Sequence, residues 1–324
     1  LLNNAGKAHV EGFGSLEGVA RAKGEIISGL AREGYFVFNA DDAWAPLWRE
    51  LAEGHPIRSF GSRQPADVWS PPGALELRWT EAGFVSRFPV TTPQCELEIE
   101  FCLAGEHNRM NALAAIAAAQ LLGAEPEQMR AGFERLEPVK GRLQPLRGRD
   151  GISLIDDSYN ANPDSVAAAI RVLATAPGRR FLVLGELAEL GPGAKRLYRE
   201  IAELARSAGI ERLYTVNGAG LAGECFGSGG SVFPSQARLI EGLQQDLRAG
   251  DRVLVKGSRR AGMERVIAAL AEQGSSSAEM AKSLAETKQN LATAESLWRR
   301  MLVEGGKRDS VVIGFGGGSV GDLA

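Results

Sequence analysis

Several polar clusters in this chain combine residue types that do chemistry with glycines and prolines that expose them. The first runs Asn3-Asn4-Ala5-Gly6-Lys7-Ala8-His9 and continues through Glu11-Gly12-Phe13-Gly14-Ser15. It falls where a strand end turns into a helix, the place where open α/β sheets hold ligands. A neutral imidazole at His9 has the chemistry to ligate a divalent cation, although a structural or surface histidine is the commoner reading of one isolated His. Lys23 stands mid-helix in Ala22-Lys23-Gly24-Glu25. A solvated helix face is the usual place for such a residue. A lysine whose pKa falls through burial is nucleophilic, can take up carbon dioxide, and then offers a carbamate oxygen to magnesium.

Gly105-Glu106-His107-Asn108-Arg109-Met110-Asn111 opens an alanine-rich helix. Asn108 reads as its N-cap. Its amide also matches the N6/N7 edge of adenine, one donor and one acceptor together. His107 reads as a loop residue without a role. The densest cluster is Asp156-Asp157-Ser158-Tyr159-Asn160-Ala161-Asn162-Pro163-Asp164-Ser165. Asn162 or Ser158 caps the helix that Pro163 begins. Capping does not account for paired Asp plus two Asn, and carboxylates at a strand end suit ribose hydroxyls or an ammonium. Lys256-Gly257-Ser258-Arg259-Arg260 ends another strand, where amides, a lysine and a hydroxyl can hold a carboxylate; a plain basic helix start is the equal alternative. Gly314-Phe315-Gly316-Gly317-Gly318-Ser319-Val320-Gly321-Asp322 follows a strand-like run, as a pyrophosphate-binding turn does.

The elements that must position these clusters alternate in α/β fashion. Ser15–Arg32 reads as a helix capped by Ser15, and 35–39 as a buried strand. Short strand signals at 57–60, 66–69, 75–79, 83–88 and 97–103 predict an antiparallel meander attached to an α/β sheet. Helices follow at 108–122 and 127–136. Residues 138–150 lack an apolar period and read as a linker. Strands at 152–155, 181–184, 212–216 and 252–255 then alternate with helices at 163–174, 194–207, 219–225, 236–248 and 259–271, a doubly wound parallel sheet. Gly274-Ser275-Ser276-Ser277 reads as a joint, 278–303 as a helix and 310–315 as a strand.

The 324 residues hold 44% hydrophobic and 24% charged side chains and a net charge of -3. That is ordinary globular composition, with no basic excess for nucleic acid and no apolar run long enough to span a membrane. Three cysteines without metal-ligand spacing fit a reducing cytoplasm. The first residue is not Met and the last follows a glycine cluster, so both ends read as cut within an element.

Together the stretches from Asn3 to Glu25, Gly105 to Ala115, Asp156 to Ser165 and Val253 to Arg265 resemble the Mur ligases over about residues 1–271. They are most similar to the branch that adds D-alanyl-D-alanine to UDP-N-acetylmuramoyl tripeptide. The resemblance implies a partial central ATPase domain (1–137), the linker (138–150) and a Rossmann-like doubly wound C-terminal domain (151–273), followed by a helix-strand tail (274–324). It implies a peptidoglycan-precursor ligase acting in cell-wall biogenesis, cell shape and division, using ATP and magnesium through an acyl phosphate. By the same resemblance His9 and Lys23 are magnesium ligands and catalytic, Lys23 as a carbamate. Asn108, Arg142 and Asp157 contact the nucleotide, and Asn160, Asn162, Lys256 and Ser258 lie on the D-alanyl-D-alanine side. Tyr198 stands where that family has a His. The family's Gly-x-x-Gly-Lys-Thr/Ser phosphate loop is not in these residues, so the expectation is no ligase turnover by this chain alone. The tail resembles the start of 3-dehydroquinate synthase, with Gly316, Gly317, Gly318 and Asp322 on the pyrophosphate of NAD. An NAD-dependent lyase, and a non-catalytic nucleotide- or dipeptide-binding remnant, are the alternatives to a ligase.

Overall fold

The computed structural model describes residues 1–6, 13–81, 83–188 and 190–272. His9 and the whole tail, with Gly316, Gly317, Gly318 and Asp322, lie outside the described residues. Two sheets organise the rest.

The first domain contains α1 (Leu16–Gly24), β1 (Phe36–Asn39), α2 (Ala45–Leu51), β2 (Ile57–Gly61), β3 (Val68–Trp69), β4 (Glu76–Thr80), β5 (Gly83–Thr91), β6 (Glu96–Phe101), α3 (Glu106–Leu121) and α4 (Pro126–Glu134). Strands β1, β2 and β3 are parallel; β5 joins β3 antiparallel and carries β4 and β6 on antiparallel ladders. This is the meander grafted on an α/β sheet that the sequence predicts. β6 alternates exposed Glu with buried Leu97, Ile99 and Phe101, the period of a strand with one solvated face. That inner face packs on α3, where Ala112, Leu113, Ile116 and Ala117 are buried.

The helix expected over Ser15–Arg32 ends as α1 at Gly24 and continues as a 3₁₀ turn, Glu25–Gly29. Ile26, Ile27 and Gly29 have weaker helix preference than the Ala-rich turn before them. Ser15 caps α1 as expected, its hydroxyl accepting from the Gly18 amide at 3.0 Å.

The second domain contains β7 (Gln144–Arg147), β8 (Ser153–Asp157), α5 (Pro163–Ala174), β9 (Arg180–Leu184), α6 (Ala194–Ser207), β10 (Arg212–Val216), α7 (Gly220–Phe226), β11 (Gly230–Phe233), α8 (Gln236–Asp246), β12 (Arg252–Lys256) and α9 (Glu264–Leu270). Its sheet order is β11-β10-β9-β12-β8-β7, all parallel except the antiparallel edge strand β7. Residues 144–147, expected in a linker, therefore belong to the sheet. They show no apolar period because an edge strand is only half covered, and an edge tolerates Pro145. The short β11 is a second edge that the sequence reading passed over. The chain leaves β8, skips one position to β9 and returns as β12 to fill the gap, so β8, β12 and β9 end side by side. Ligands bind at such carboxyl-end crevices.

The domains share one apolar cluster. Phe84 and Ala104 of the first domain pack with Ile155, Val166 and Ile170 of the second. Trp79 donates from its indole to Thr175 Oγ1 at 2.9 Å.

Candidate functional site

The Asn3-Asn4 end of the N-terminal segment is held beside β1. Leu2 donates to Val37 O and accepts from Asn39 N, in a parallel bridge opposite Phe38. Asn3 and Asn4 then leave the sheet at its carboxyl edge. Asn3 Nδ2 reaches Asn111 Oδ1 at 2.6 Å, and Asn111 Nδ2 reaches Asn108 Oδ1 at 3.4 Å. Lys23 Nζ donates to Asn4 O at 2.8 Å. An asparagine chain thus ties the α1 lysine to the start of α3. Lys23 stays exposed; partial desolvation lowers its pKa, and the Asp42 carboxylate pulls it back up. α1 is positioned from below by Trp48, fully buried, whose indole donates to Ala20 O at 3.0 Å.

Asn108 is not the cap of α3. Gly105 holds the N-cap position at φ 96°, and Asn108 lies one turn in, donating to Ala104 O at 2.8 Å. The helix begins earlier because Glu106 enters its first turn, where a carboxylate is favoured. One N–H and one lone pair of the Asn108 amide remain unassigned among the described residues.

His107 lies in the cleft between the domains. A Cβ on Gly105 would stand 2.8 Å from His107 Cε1 and 3.0 Å from Val172 Cγ2, so the imidazole folds over Gly105 toward α5. The ring reaches solvent, with protein on both sides. Desolvation there, and then the Lys256 ammonium, lower its pKa from 6.5 to about 4. Its expected idle loop position is corrected: it is an interdomain residue. Because the folded value lies below the unfolded one, only the unfolded chain takes up the proton as pH falls from 6.5 toward about 4, and the fold loses stability in that window. In a proton NMR titration His107 is expected to stay mostly neutral at about pH 5.5; a midpoint at the ordinary value would show that the imidazole is not desolvated in the cleft.

Lys256, at the end of β12, is the centre of the second cluster. It is 2% exposed; its Nζ pairs with Asp157 Oδ2 at 2.5 Å and donates to Asn160 O at 2.9 Å. Asp157 Oδ1 accepts from Leu143 N at 3.1 Å. Burial pushes the Asp157 carboxyl up, against the pull of Lys256. Leu143 and Gly141 both have positive φ, 50° and 73°, and the loop between them crosses the end of β8, where Tyr159 N donates to Gly141 O. A Cβ on Gly141 would stand 3.1 Å from Tyr159 Cβ and 3.2 Å from its backbone N, so only glycine fits. This turn sets the Arg142 guanidinium 4.5 Å over the Tyr159 ring, which Arg259 approaches at 5.8 Å.

Asn162 is the α5 cap, in a capping box with Ser165 at 2.8 Å and 3.0 Å. Asn160 accepts from the Ala161 amide. In both, the side-chain oxygen is engaged by local backbone. Lys256 is occupied by Asp157. Of the residues expected on the dipeptide side, Ser258 lines an open cavity.

That cavity, about 350 Å³, lies at the ends of β9, β10 and β12. Glu186, Tyr198, Gly218, Ser258 and Arg260 line it with the apolar Leu187, Leu190 and Ala194. Ser258 N donates to Glu186 O at 2.8 Å, which pins the two strand-end loops together. A Cβ on Gly218 would stand 2.9 Å from Glu186 Oε1, so the carboxylate lies against bare backbone. Among the described residues, neither Glu186 nor Arg260 has an ion-pair partner. Sequence reasoning passed over Glu186 and Arg260; their place directly after β9 and β12 was the available signal.

Among the described residues no group of three or more His, Cys, Asp or Glu could hold a metal ion. No helix there is long and apolar enough to cross a membrane.

Comparison with known proteins agrees with this arrangement. Residues 1–119 match the Mur ligase middle domain, and 141–259 match the Mur ligase glutamate ligase domain. The chain is 39% identical over 276 residues to UDP-N-acetylmuramoyl-tripeptide–D-alanyl-D-alanine ligase of Escherichia coli, covering 85% of this chain and 60% of that protein. The like-named ligase of Haemophilus influenzae is 35% identical, over 84% of this chain and 59% of its own length. A crystal structure of MurF from Acinetobacter baumannii superposes with TM-score 0.74 at 31% identity, covering 82% of this chain and 58% of that one. The chain spans about 60% of the length of these curated relatives. Both domain matches stop short of residue 260, so the expectation of NAD at Gly316–Asp322 gains no support from them. The described chain, with its meander-bearing first sheet, its doubly wound second sheet and the polar crevice between them, belongs to the Mur ligase family.

Proposed function

We propose that this chain supplies the nucleotide crevice and the incoming-dipeptide pocket of a cytoplasmic ATP-dependent ligase that joins D-alanyl-D-alanine to UDP-N-acetylmuramoyl tripeptide. The observation that carries this reading is the cavity beside Ser258, where a carboxylate, Glu186, and a guanidinium, Arg260, neither ion-paired among the described residues, stand around an apolar lining. A short zwitterionic peptide with methyl side chains presents the complementary charges and surface. Two fixed opposite charges select for it by position as well as by attraction.

In the proposed reaction a tripeptide carboxylate oxygen attacks the γ-phosphorus of ATP. The bond to the β–γ bridging oxygen breaks and ADP leaves. The dipeptide amine nitrogen then attacks the acyl carbon, phosphate departs, and the nitrogen loses a proton. Asn108 has one donor and one acceptor left for the adenine edge. Arg142, held over Tyr159, and Asp157 are the proposed contacts for the phosphates and ribose. Lys256 holds Asp157 in place, and is a positioning residue in this scheme. The Lys23 pKa is shifted down by desolvation, the direction that favours carbon dioxide uptake, and its carbamate is the proposed partner of His9 toward magnesium. The described residues alone do not fit a divalent-cation site, so no step is routed through the metal.

Calorimetric titration of the 324-residue chain with ADP and, separately, with D-alanyl-D-alanine tests the reading. Both are expected to bind. Asp157→Asn should weaken ADP about tenfold, and Glu186→Gln should weaken the dipeptide about tenfold while leaving ADP unchanged. A chain that binds neither ligand is not what we propose.

A further inference from the structure

The dipeptide cavity contains a hydrogen-bond donor that no described residue uses. Tyr198 is on the buried stripe of α6, with Ile201, Ala202 and Ala205 at helical spacing behind it, and is 5% exposed. Its ring has no freedom to turn away. The hydroxyl oxygen accepts from Leu187 N at 3.0 Å. A phenol also has one proton to give, and no acceptor for it is found among the described residues. Burial raises the Tyr198 pKa, the Leu187 bond opposes this, and the Glu186 charge adds to the rise, so the hydroxyl is protonated at any physiological pH.

A donor held at a cavity wall calls for an acceptor in the cavity. A zwitterionic dipeptide offers two, its peptide carbonyl and its terminal carboxylate. The charged one forms the stronger bond. Glu186 lines the same cavity and offers its charge to the ammonium, which leaves the carboxylate to Arg260 and Tyr198. We propose that Tyr198 is a specificity-determining contact whose hydroxyl donates to the terminal carboxylate of the incoming dipeptide. The proposal rests on the dipeptide reading above and adds to it a contact from α6. A histidine at this position donates from a ring that titrates near neutral pH; the phenol does not, so carboxylate recognition here is independent of pH across the neutral range.

The test is titration of the 324-residue chain with D-alanyl-D-alanine and with D-alanyl-D-alaninamide, followed in ¹H–¹⁵N correlation spectra. Tyr198→Phe is expected to weaken the dipeptide about tenfold and the amide less than twofold. Equal weakening of both ligands makes Tyr198 merely structural and overturns the proposal. Unchanged dipeptide binding in Tyr198→Phe, with binding lost in Arg260→Met, overturns it while the dipeptide reading stands. No dipeptide binding by the unsubstituted chain overturns both. If Tyr198→Phe does not fold, Tyr198→His decides: its dipeptide affinity should fall as pH rises through the imidazole pKa, whereas the unsubstituted chain stays flat, and a flat His variant overturns the proposal.

Discussion

Replacing Lys256 by methionine is expected to destabilise the second domain by about 3–5 kcal/mol, the usual cost of leaving a buried charge without its partner. The Lys256 and Asp157 side chains are 3% and 12% exposed, so water cannot take over from the lost ammonium. Asp157 would keep only the Leu143 amide as a hydrogen-bond donor. Asn160 O would lose a donor as well, which loosens the turn between β8 and α5. The double variant Lys256→Met with Asp157→Asn should recover much of the loss, because a neutral amide has a far smaller desolvation cost than an unpaired carboxylate. Amide hydrogen exchange at Ile155 and Val255, in the middle of the paired strands, is the measurement. Unchanged protection in the single variant would mean that the pair is open to solvent. Since burial raises the Asp157 pKa, the carboxyl in the single variant should titrate higher still, having lost the one cation that drew it down.

Trp48→Ala is the second large effect. Trp48 is fully buried, with Phe36, Phe38, Ala20 and Ile27 in the same cluster. Truncating a large buried aromatic costs about 3–5 kcal/mol through lost transfer energy and the cavity left behind. The indole N–H to Ala20 O bond goes with it. Because Ala20 and Gly24 of α1 rest on this side chain, Lys23 should lose its fixed position against Asn4 O. The expected result is a lower urea midpoint in the fluorescence of the remaining tryptophans of the first domain, Trp44, Trp69 and Trp79. Trp48→Phe should recover most of the stability, since it refills most of the volume and omits only the hydrogen bond. A midpoint for Trp48→Ala equal to that of the unsubstituted chain would sink the idea that α1 depends on this contact.

Much of the fold was legible from local signals. α5 spans Pro163–Ala174 and α6 spans Ala194–Ser207, the ranges expected, because an Asn-Pro start and a helical apolar stripe are local features. β8, β9, β10 and β12 were legible as short β-branched runs, since strands covered on both faces need no alternation. β7 was not, because half-covered edge residues around a proline carry no period. The Asp-Asp-Ser-Tyr-Asn-Ala-Asn-Pro stretch, expected at a strand end, does lie at the end of β8. It could not say that Asn162 is consumed by its own helix cap, since capping and ligand binding draw on the same residue types.

What the sequence determined by itself was the membership of the family, the element types and the strand ends where polar residues gather. These follow from propensity, periodicity and motif, which act over a few residues. Only the tertiary structure decided which polar groups remain free. Lys256 and Asp157 are 99 positions apart and neutralise each other, and Glu186, Tyr198 and Arg260 come together from two strand-end loops and a helix. A charge pairs with whatever the fold brings within reach, and that depends on the crossover returning β12 between β8 and β9.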